Sequence, residues 1–423
     1  MKILYVQQHF ASGQGEAGTR GYNLVRTLAG RGHEVTVICG RNWRDSSLAT
    51  EKRQWVVEQD LDGFHVVQLG VFYSNHQSFP KRLWSFVLFG LLACYQVLRR
   101  RADLIYASST PLTMSIPALC ARCLKGTPYV FEVRDLWPDF PIELGIIRNP
   151  LLKRALYFWE RITYRFAWRL VALAPGIKDE IERKAGVVPA RVAMVPNGSD
   201  TEHLLALGRL PRNLIPIAED KLALGYCGTH GRANGLDAVL DAAAVLKHRG
   251  ASDVVFVLIG DGREKARLMR RAEEEGLDNV WFAGLFNKAS YNQVLAELDV
   301  GMQTLLNIRG FYYGTSPNKF FDYLSVGKPV LVNYPGWMSD LVTEHGCGVT
   351  VPPDDAEAFA DAVESLNADR QRLEAMGRAA RSLAESQFSQ QRILVELAEF
   401  IEAKEPLQLQ TMTAIAGAGS GRG

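Results

Sequence analysis

Residues 309–334, RGFYYGTSPNKFFDYLSVGKPVLVNY, concentrate side chains that could do chemistry. Gly310 and Gly314 predict a loop. Ser316 suits an N-cap, Pro317 the first helical position, and Gly327 a helix end. Val330–Val332 is an apolar strand run. Lys319 then falls in the first helical turn, where a cation opposes the positive end of the helix dipole. A bound anion reverses that penalty, because free backbone N–H groups and an ammonium together suit a phosphate. Asn318, Lys319 and Asp322 share one face through i,i+3 and i,i+4 spacing. A phosphate grip beside a carboxylate able to accept vicinal sugar hydroxyls outlines a nucleotide-sugar site, with Ser316, Asn318, Lys319 and Asp322 as donor-binding candidates. The same residues also fit a capped surface helix with a solvated Lys–Asp pair.

Three other stretches carry polar groups at positions where chemistry is possible. Residues 228–235, GTHGRANG, follow a strand, so the backbone N–H groups of Gly228 and Thr229 can approach a phosphate closely. His230 and Arg232 are polar candidates beside them, or plain solvated loop residues. Residues 9–21, HFASGQGEAGTRG, contain Gly13, Gly15 and Gly18 in a GxGxxG pattern. A dinucleotide turn needs its first Gly at the strand end and an acid after the second strand. Here six residues separate Val6 from Gly13, and Gly40, Arg41 and Asn42 follow the second strand. The stretch therefore predicts a substrate loop, with Gly15, Gly18, Thr19 and Arg20 on an acceptor or phosphate. A plain loop with glycines at positive φ is the alternative. Finally, EVRDLWPDFP sets Glu132, Arg134, Asp135 and Asp139 at the carboxyl end of a parallel strand, where open α/β sheets place ligands. A hydrogen-bonded loop around Trp137 accounts for it equally well.

The elements that must hold these residues alternate. Residues 2–7 and 35–39 predict buried strands around a helix near 22–30, a βαβ unit. Strands follow at 64–69, 104–107, 129–133 and 170–174. The composition loosens at 207–219, around Pro211 and Pro216, which marks a domain boundary. The second half starts again with a strand at 221–227 and continues through 254–259, 280–283 and 300–305 to the opening stretch. The fold class is α/β, with two Rossmann-like doubly wound parallel-sheet domains facing a cleft. A last amphipathic helix ends near 404, and residues 405–423 are of low complexity, with disorder expected. With 423 residues, two or three domains are the prior, and 47% apolar content is ample for real cores. A net charge of +2 gives no global basic field, so no nucleic-acid partner is expected. The six Cys are scattered in a reduced, cytosolic pattern. The CxxC of Cys120 and Cys123 has no second ligand pair, so no metal is expected. The N-terminus opens on a strand, without the regions of a signal peptide.

Two segments differ from a soluble core. Residues 81–101, KRLWSFVLFGLLACYQVLRRR, hold an uncharged run of sixteen residues between two cations and three. As a helix that run spans about 24 Å against a hydrocarbon core of roughly 30 Å, short for a span. Residues 151–169 carry Lys153, Arg154, Arg161, Arg165 and Arg169 against Glu160, with six aromatics. Basic aromatic helices suit an anionic membrane surface, with Trp84, Trp159 and Trp168 at the headgroup level. Core helices with snorkelling Arg stems are the alternative.

Together these residues resemble a GT-B glycosyltransferase of the retaining family four, also called the glycosyltransferase group 1 family, over about residues 1–403. The matching signs are the first strand with its Gly-rich loop, RGHEVTVI at 31–38, VPNGSD at 195–200, GDG at 260–262 and FDYLSVGKPV at 321–330. The chain is most similar to the bacterial fucosamine-transferase-like branch, which builds surface polysaccharide on lipid carriers. The resemblance implies transfer with retention from a nucleotide-diphosphate sugar, UDP first, to a lipid-linked saccharide. It implies no cofactor, no metal for the chemistry, and a peripheral place on the inner face of the cytoplasmic membrane. It implies an acceptor-side domain at 1–200, a donor domain at 201–387, and a crossover helix at 388–404 returning to the first domain. Lys319, Arg134 and Asp135 become the catalytic candidates, and Asp322 takes the donor ribose. The family's first carboxylate falls on Gly314. Its donor-diphosphate Arg and Lys fall on Thr229 and Asn234, so Lys319 with Arg232 would have to replace them. Its His-Asp falls on Arg134-Asp135. Two other classes stay open: an NADP-linked oxidoreductase with Arg41 on the 2′-phosphate, and an inactive sugar-nucleotide-binding assembly partner, motivated by Gly314.

Overall fold

The computed structural model describes residues 1–13, 20–42, 45, 47–48, 54–73, 77–201, 212–286 and 288–404. The chain divides into two compact units. The first takes Met1–Pro196, Gly314–Ser316 and the chain from Arg392; the second takes Asn197–Tyr313 and Pro317–Gln391.

In the first unit the strands are β1 (Lys2–Gln7), β2 (Glu34–Gly40), β3 (Val56–Leu61), β4 (Phe64–Leu69), β5 (Leu104–Ser108), β6 (Tyr129–Val133), β7 (Arg169–Ala172) and β8 (Val192–Met194). They form one sheet in the order β3-β4-β2-β1-β5-β6-β7-β8. Every pairing is parallel except β3 with β4. The antiparallel pair is a hairpin, turned by Asp62 and Gly63, both at positive φ (47° and 88°). Asp-Gly between apolar runs is a strong hairpin signal that the sequence reading passed over. The helices are α1 (Arg20–Gly30), α2 (Phe79–Arg99), α3 (Ser115–Lys125), α4 (Asp139–Glu143), α5 (Pro150–Phe166) and α6 (Pro175–Ala185). α2 packs on α3, α3 on α5, and α5 on α6. Right-handed crossovers running β4 to β8 along the sheet place all four on the same face.

In the second unit the strands are β9 (Leu222–Cys227), β10 (Val254–Ile259), β11 (Val280–Ala283), β12 (Val300–Gln303), β13 (Val330–Val332) and β14 (Gly348–Thr350). Their order, β11-β10-β9-β12-β13-β14, is all parallel. β10 is six apolar residues, all buried, as a strand covered on both faces must be. The helices are α7 (Asp237–His248), α8 (Lys265–Glu274), α9 (Lys288–Glu297), α10 (Arg309–Gly314), α11 (Asn318–Ser325), α12 (Trp337–His345), α13 (Ala356–Ala368) and α14 (Arg370–Ser386). The final helix, α15 (Gln390–Glu402), returns to the first unit as expected. There Glu402 receives Arg31 at 2.6 Å and His33 at 2.7 Å, and Arg169 donates to the Ala403 carbonyl at 2.7 Å.

Local departures from the sequence reading have simple causes. Arg309–Gly314 is a short helix, not a loop. α11 begins at Asn318 because Pro317 keeps an extended ψ of 128°; Pro317, not Ser316, is the N-cap. Gly327 ends the helix at φ 68°, as predicted.

α11 is fixed to the sheet by Tyr323. Its ring lies over Gly301 so closely that a Cβ on that glycine would sit 2.2 Å from the ring. Its hydroxyl donates to the Gly225 carbonyl at 3.1 Å and accepts from the Cys227 amide at 2.9 Å, satisfying a buried phenol. Overpacking of this kind costs about 1–3 kcal/mol. Gly301→Ala is therefore expected to unfold several degrees below wild type in a thermal melt. An unchanged melting temperature would mean that α11 is not seated this way.

Candidate functional site

β9 lies where the strand order of the second sheet reverses, a topological switch point at which α/β sheets bind ligands. The loop after β9 leaves through Gly228 at φ 150°, and a Cβ there would meet Lys319 Cε at 3.2 Å. The loop after β10 touches it: a Cβ on Gly260 would lie 1.9 Å from the Gly228 carbonyl oxygen. Tyr226 donates to the Thr229 carbonyl at 2.9 Å, and Asn234 Nδ2 donates to the same oxygen at 2.8 Å, which holds the loop closed. Thr304, beyond β12, donates to the Asn234 carbonyl at 2.8 Å.

Lys319 reaches into this loop from the first turn of α11. It is four residues before Tyr323, hence on the same face one turn earlier. Its Nζ donates to Tyr226 Oη at 2.9 Å and to Asn234 Oδ1 at 3.3 Å, and lies 4.0 Å from the Tyr226 ring centre. Both partners are neutral. The side chain is half-buried by surface, but its ammonium end is enclosed by these groups. That desolvation pulls it down from the usual 10.5 to about 7. His230 is buried below, and burial, then Lys265, pulls its ring down to about 4, so it stays neutral. The chemistry this arrangement offers is a lysine with no counter-ion among the described residues, at a helix start, above a glycine.

Other predicted donor residues are placed unevenly. The Gly228 amide is already bonded to the Ile259 carbonyl at 2.9 Å, so Gly228 supplies room rather than a donor. The Thr229 amide has no acceptor among the described residues, and Thr229 is exposed. Asp322 does not pair with Lys319; its Oδ2 accepts from Tyr291 Oη on α9 at 3.0 Å. Asn318 is exposed at the helix start. Arg232 is exposed on a cavity of about 280 Å³ that also involves Leu236 and Arg267. Ser316 groups with the first unit. The sequence reading missed Tyr226 and gave Asn234 no part. Both hold Lys319, and the position of Tyr226, next to last in β9, was the available signal.

In the first unit, Gly15, Gly18 and Thr19 lie outside the described residues. Arg20 is not an exposed anion contact. It is buried, with Nε on Glu132 at 2.9 Å, Nη1 on the Pro196 carbonyl at 2.6 Å and Nη2 on the Val195 carbonyl at 2.9 Å. Burial pushes the Glu132 carboxyl up, but Arg20, Arg134 and the Ser108 hydroxyl outweigh it and hold it below the usual range. Arg134 and Asp135 follow β6, both half-buried. The Arg134 amide donates to Ser109 Oγ at 3.0 Å, and Thr110 Oγ1 donates to Asp135 Oδ2 at 2.7 Å. Gly314 is buried, and a Cβ on it would come within 3.1 Å of Leu136 Cδ1. Arg41, the candidate for a 2′-phosphate, is buried with Nη2 on the Gln54 carbonyl.

Two doubly wound parallel-sheet units, with a Gly-rich loop and a lysine at the switch point of the second, define a GT-B glycosyltransferase architecture. Residues 15–198 match the glycosyl transferase 4-like domain, and residues 221–369 match the glycosyl transferases group 1 domain. The chain belongs to the group 1 glycosyltransferases. WbjE of Pseudomonas aeruginosa, assigned as a glycosyltransferase, is 25% identical over 73% of this chain and 76% of its own. WcaI of Escherichia coli K12, assigned as a colanic acid biosynthesis glycosyl transferase, is 23% identical over 85% and 90%. The structure of HepE from Anabaena in complex with UDP and glucose superposes with a TM-score of 0.68, at 18% identity over 95% of this chain and 100% of that one.

The desolvated lysine has a measurable stability signature. From about 7 to 10.5 the unfolded chain holds a proton that native Lys319 lacks, so stability rises with pH across that window. Lys319→Met is expected to melt above wild type at pH 7, with the gain shrinking towards pH 10. A variant less stable at pH 7 would show that the ammonium is not desolvated.

Proposed function

We propose that this glycosyltransferase moves a sugar from a nucleotide-diphosphate sugar, UDP first, with retention of anomeric configuration. The acceptor is a lipid-linked saccharide at the inner face of the cytoplasmic membrane, in the synthesis of a bacterial surface polysaccharide. One observation carries the donor half of this reading. Among the described residues Lys319 has neutral partners only, it is held over Gly228, and a diphosphate would supply a counter-charge for its ammonium form. The helix N-terminus and the Thr229 amide add donors for the phosphate oxygens. As the glycosidic bond to the diphosphate breaks, negative charge grows on the leaving oxygen, and Lys319 stabilises it there. Asp322 exchanges Tyr291 for the ribose hydroxyls. Arg134 and Asp135, at the carboxyl end of β6, stand as the catalytic pair on the acceptor side. The donor is a substrate, and neither a cofactor nor a metal enters the chemistry. The UDP held by HepE supports the nucleotide, and the colanic acid assignment of WcaI supports the polysaccharide.

The membrane half rests on exposed apolar faces of the first unit. α2 is long and apolar enough to cross a membrane by length and composition, yet Phe89, Ala93 and Val97 are buried. Its other side exposes Trp84, Leu91 and Tyr95, each by more than half. The anchors expected on the second segment change. Trp159 donates to Ser115 Oγ at 3.0 Å, and Arg169 is buried against Trp168 and Phe400. Arg100 is held by Glu58 at 2.6 Å. Trp84 with Arg99 and Arg101, and the outer side of α5, remain for the surface.

Calorimetry with UDP tests the donor site. A diphosphate raises the Lys319 pKa above its free value of about 7. Binding above pH 7 must therefore take up a proton, and affinity must fall as pH rises from 7 to 9. Lys319→Met should abolish both effects and lower transfer about 10²–10³-fold. An affinity flat across that range without proton uptake would remove Lys319 from the diphosphate. Asp322→Asn should weaken UDP binding, and an unchanged dissociation constant would exclude the ribose role. Turnover with a panel of donors on a polyprenyl-diphosphate-linked sugar, read by mass spectrometry and anomeric NMR, checks the reaction. No release of nucleotide diphosphate with any donor would leave an inactive binding protein as the better reading.

A further inference from the structure

The outer side of α5 carries Arg154, Arg161 and Arg165, all exposed and without a carboxylate partner among the described residues. Three large apolar side chains stand on the same helix: Leu151 is 77% exposed, Phe158 66% and Phe166 50%. Arg154, Phe158 and Arg161 fall on one stripe through i,i+4 and i,i+3 spacing. They border a cavity of about 490 Å³ between α5 and α6, walled on the far side by Arg183 and Lys184.

The cavity is charged asymmetrically. Its carboxylates are Asp139 and Glu160, and its cations are Arg154, Arg161, Arg183 and Lys184. Lys184 donates to Asp139 and lies 3.4 Å from both Glu160 oxygens, so the acids are already engaged at the floor. Burial pushes the Glu160 carboxyl up to about 7 against the pull of Lys184, so near neutral pH it carries only part of a charge. Arg183 is tied to Glu180 at 2.6 Å. The unmatched charge is thus at the rim, on Arg154 and Arg161, with Phe158 between them. A free phosphate would use the two guanidinium groups and leave Phe158 and Leu151 in water. A ligand whose anion is attached to hydrocarbon uses both.

We propose that the α5–α6 cavity binds the headgroup of an anionic phospholipid, with its phosphodiester between Arg154 and Arg161 and Phe158 entering the acyl-chain boundary. The site rests on the membrane-surface reading above and adds a specific headgroup contact, separate from the apolar face of α2. Guanidinium groups grip phosphate oxygens with two parallel donors, which an equal number of scattered surface charges does not provide.

Vesicle co-sedimentation of the full chain tests it, using phosphatidylcholine with or without about a third phosphatidylglycerol. The double variant Arg154→Gln, Arg161→Gln should lose at least about tenfold in binding to the anionic vesicles, more than Arg99→Gln, Arg101→Gln loses. Phe158→Ser should keep the salt-sensitive binding and lose the part that survives high salt. Millimolar inorganic phosphate, at matched ionic strength, should displace little. UDP binding by calorimetry, unchanged in all three variants, shows that they are folded. Wild-type binding matched by the Arg154, Arg161 variant overturns the headgroup site and leaves the membrane reading standing. Wild type that binds no anionic vesicle overturns both. Binding only when the vesicles contain a polyprenyl diphosphate overturns the phospholipid assignment.

Discussion

The candidate site depends on one buried phenol. Tyr323 packs directly on Gly301, and its hydroxyl is shared between the Gly225 carbonyl and the Cys227 amide, at the end of the strand from which the Gly-rich loop leaves. A phenol removed from water must keep its hydrogen bonds, and here those bonds tie α11 to the end of β9. Lys319, one turn nearer the helix start, is carried over Gly228 as a consequence. The lysine is therefore positioned by packing and backbone satisfaction, and no carboxylate is needed to hold it.

That absence matters because the two units treat buried charge in opposite ways. In the first, Arg20 and Glu132 form a pair with four further acceptors and donors around it, a closed network. In the second, the partners of Lys319 among the described residues are a phenol and an amide oxygen. A buried charge with neutral partners is destabilising, and the native state tolerates it where a ligand completes the pairing. The contrast separates a paired arginine from a lysine that is not, although both stand in the first turn of a helix.

The helical layer formed by α2, α3, α5 and α6 shows a similar division along single helices. Phe89 and Val97 face inward while Trp84 and Leu91 face out. On α5, Thr163 and Tyr164 are buried while Phe158 and Phe166 are not. Such helices are apolar on two sides, one buried in the unit and the other exposed.

Strand runs and Gly punctuation were legible in the chain itself, because a parallel strand buried on both faces must be continuously apolar. Val254–Ile259 and Tyr129–Val133 needed no tertiary information. The group 1 signature, the place of Lys319 in a first helical turn and the helix end at Gly327 followed from local spacing. The hairpin at Asp62-Gly63 was also legible and was passed over. What the sequence by itself could not determine is which polar groups are already satisfied. Arg20 and Lys319 look alike in one dimension. Only the tertiary structure gives the first a carboxylate from a strand more than a hundred residues away, and the second none among the described residues. The same holds for the Gly228 amide, taken by Ile259, and for Trp159, turned inward to Ser115. Periodicity fixes which face a residue occupies. Whether its hydrogen bonds are free is set by long-range neighbours, and that decided the site.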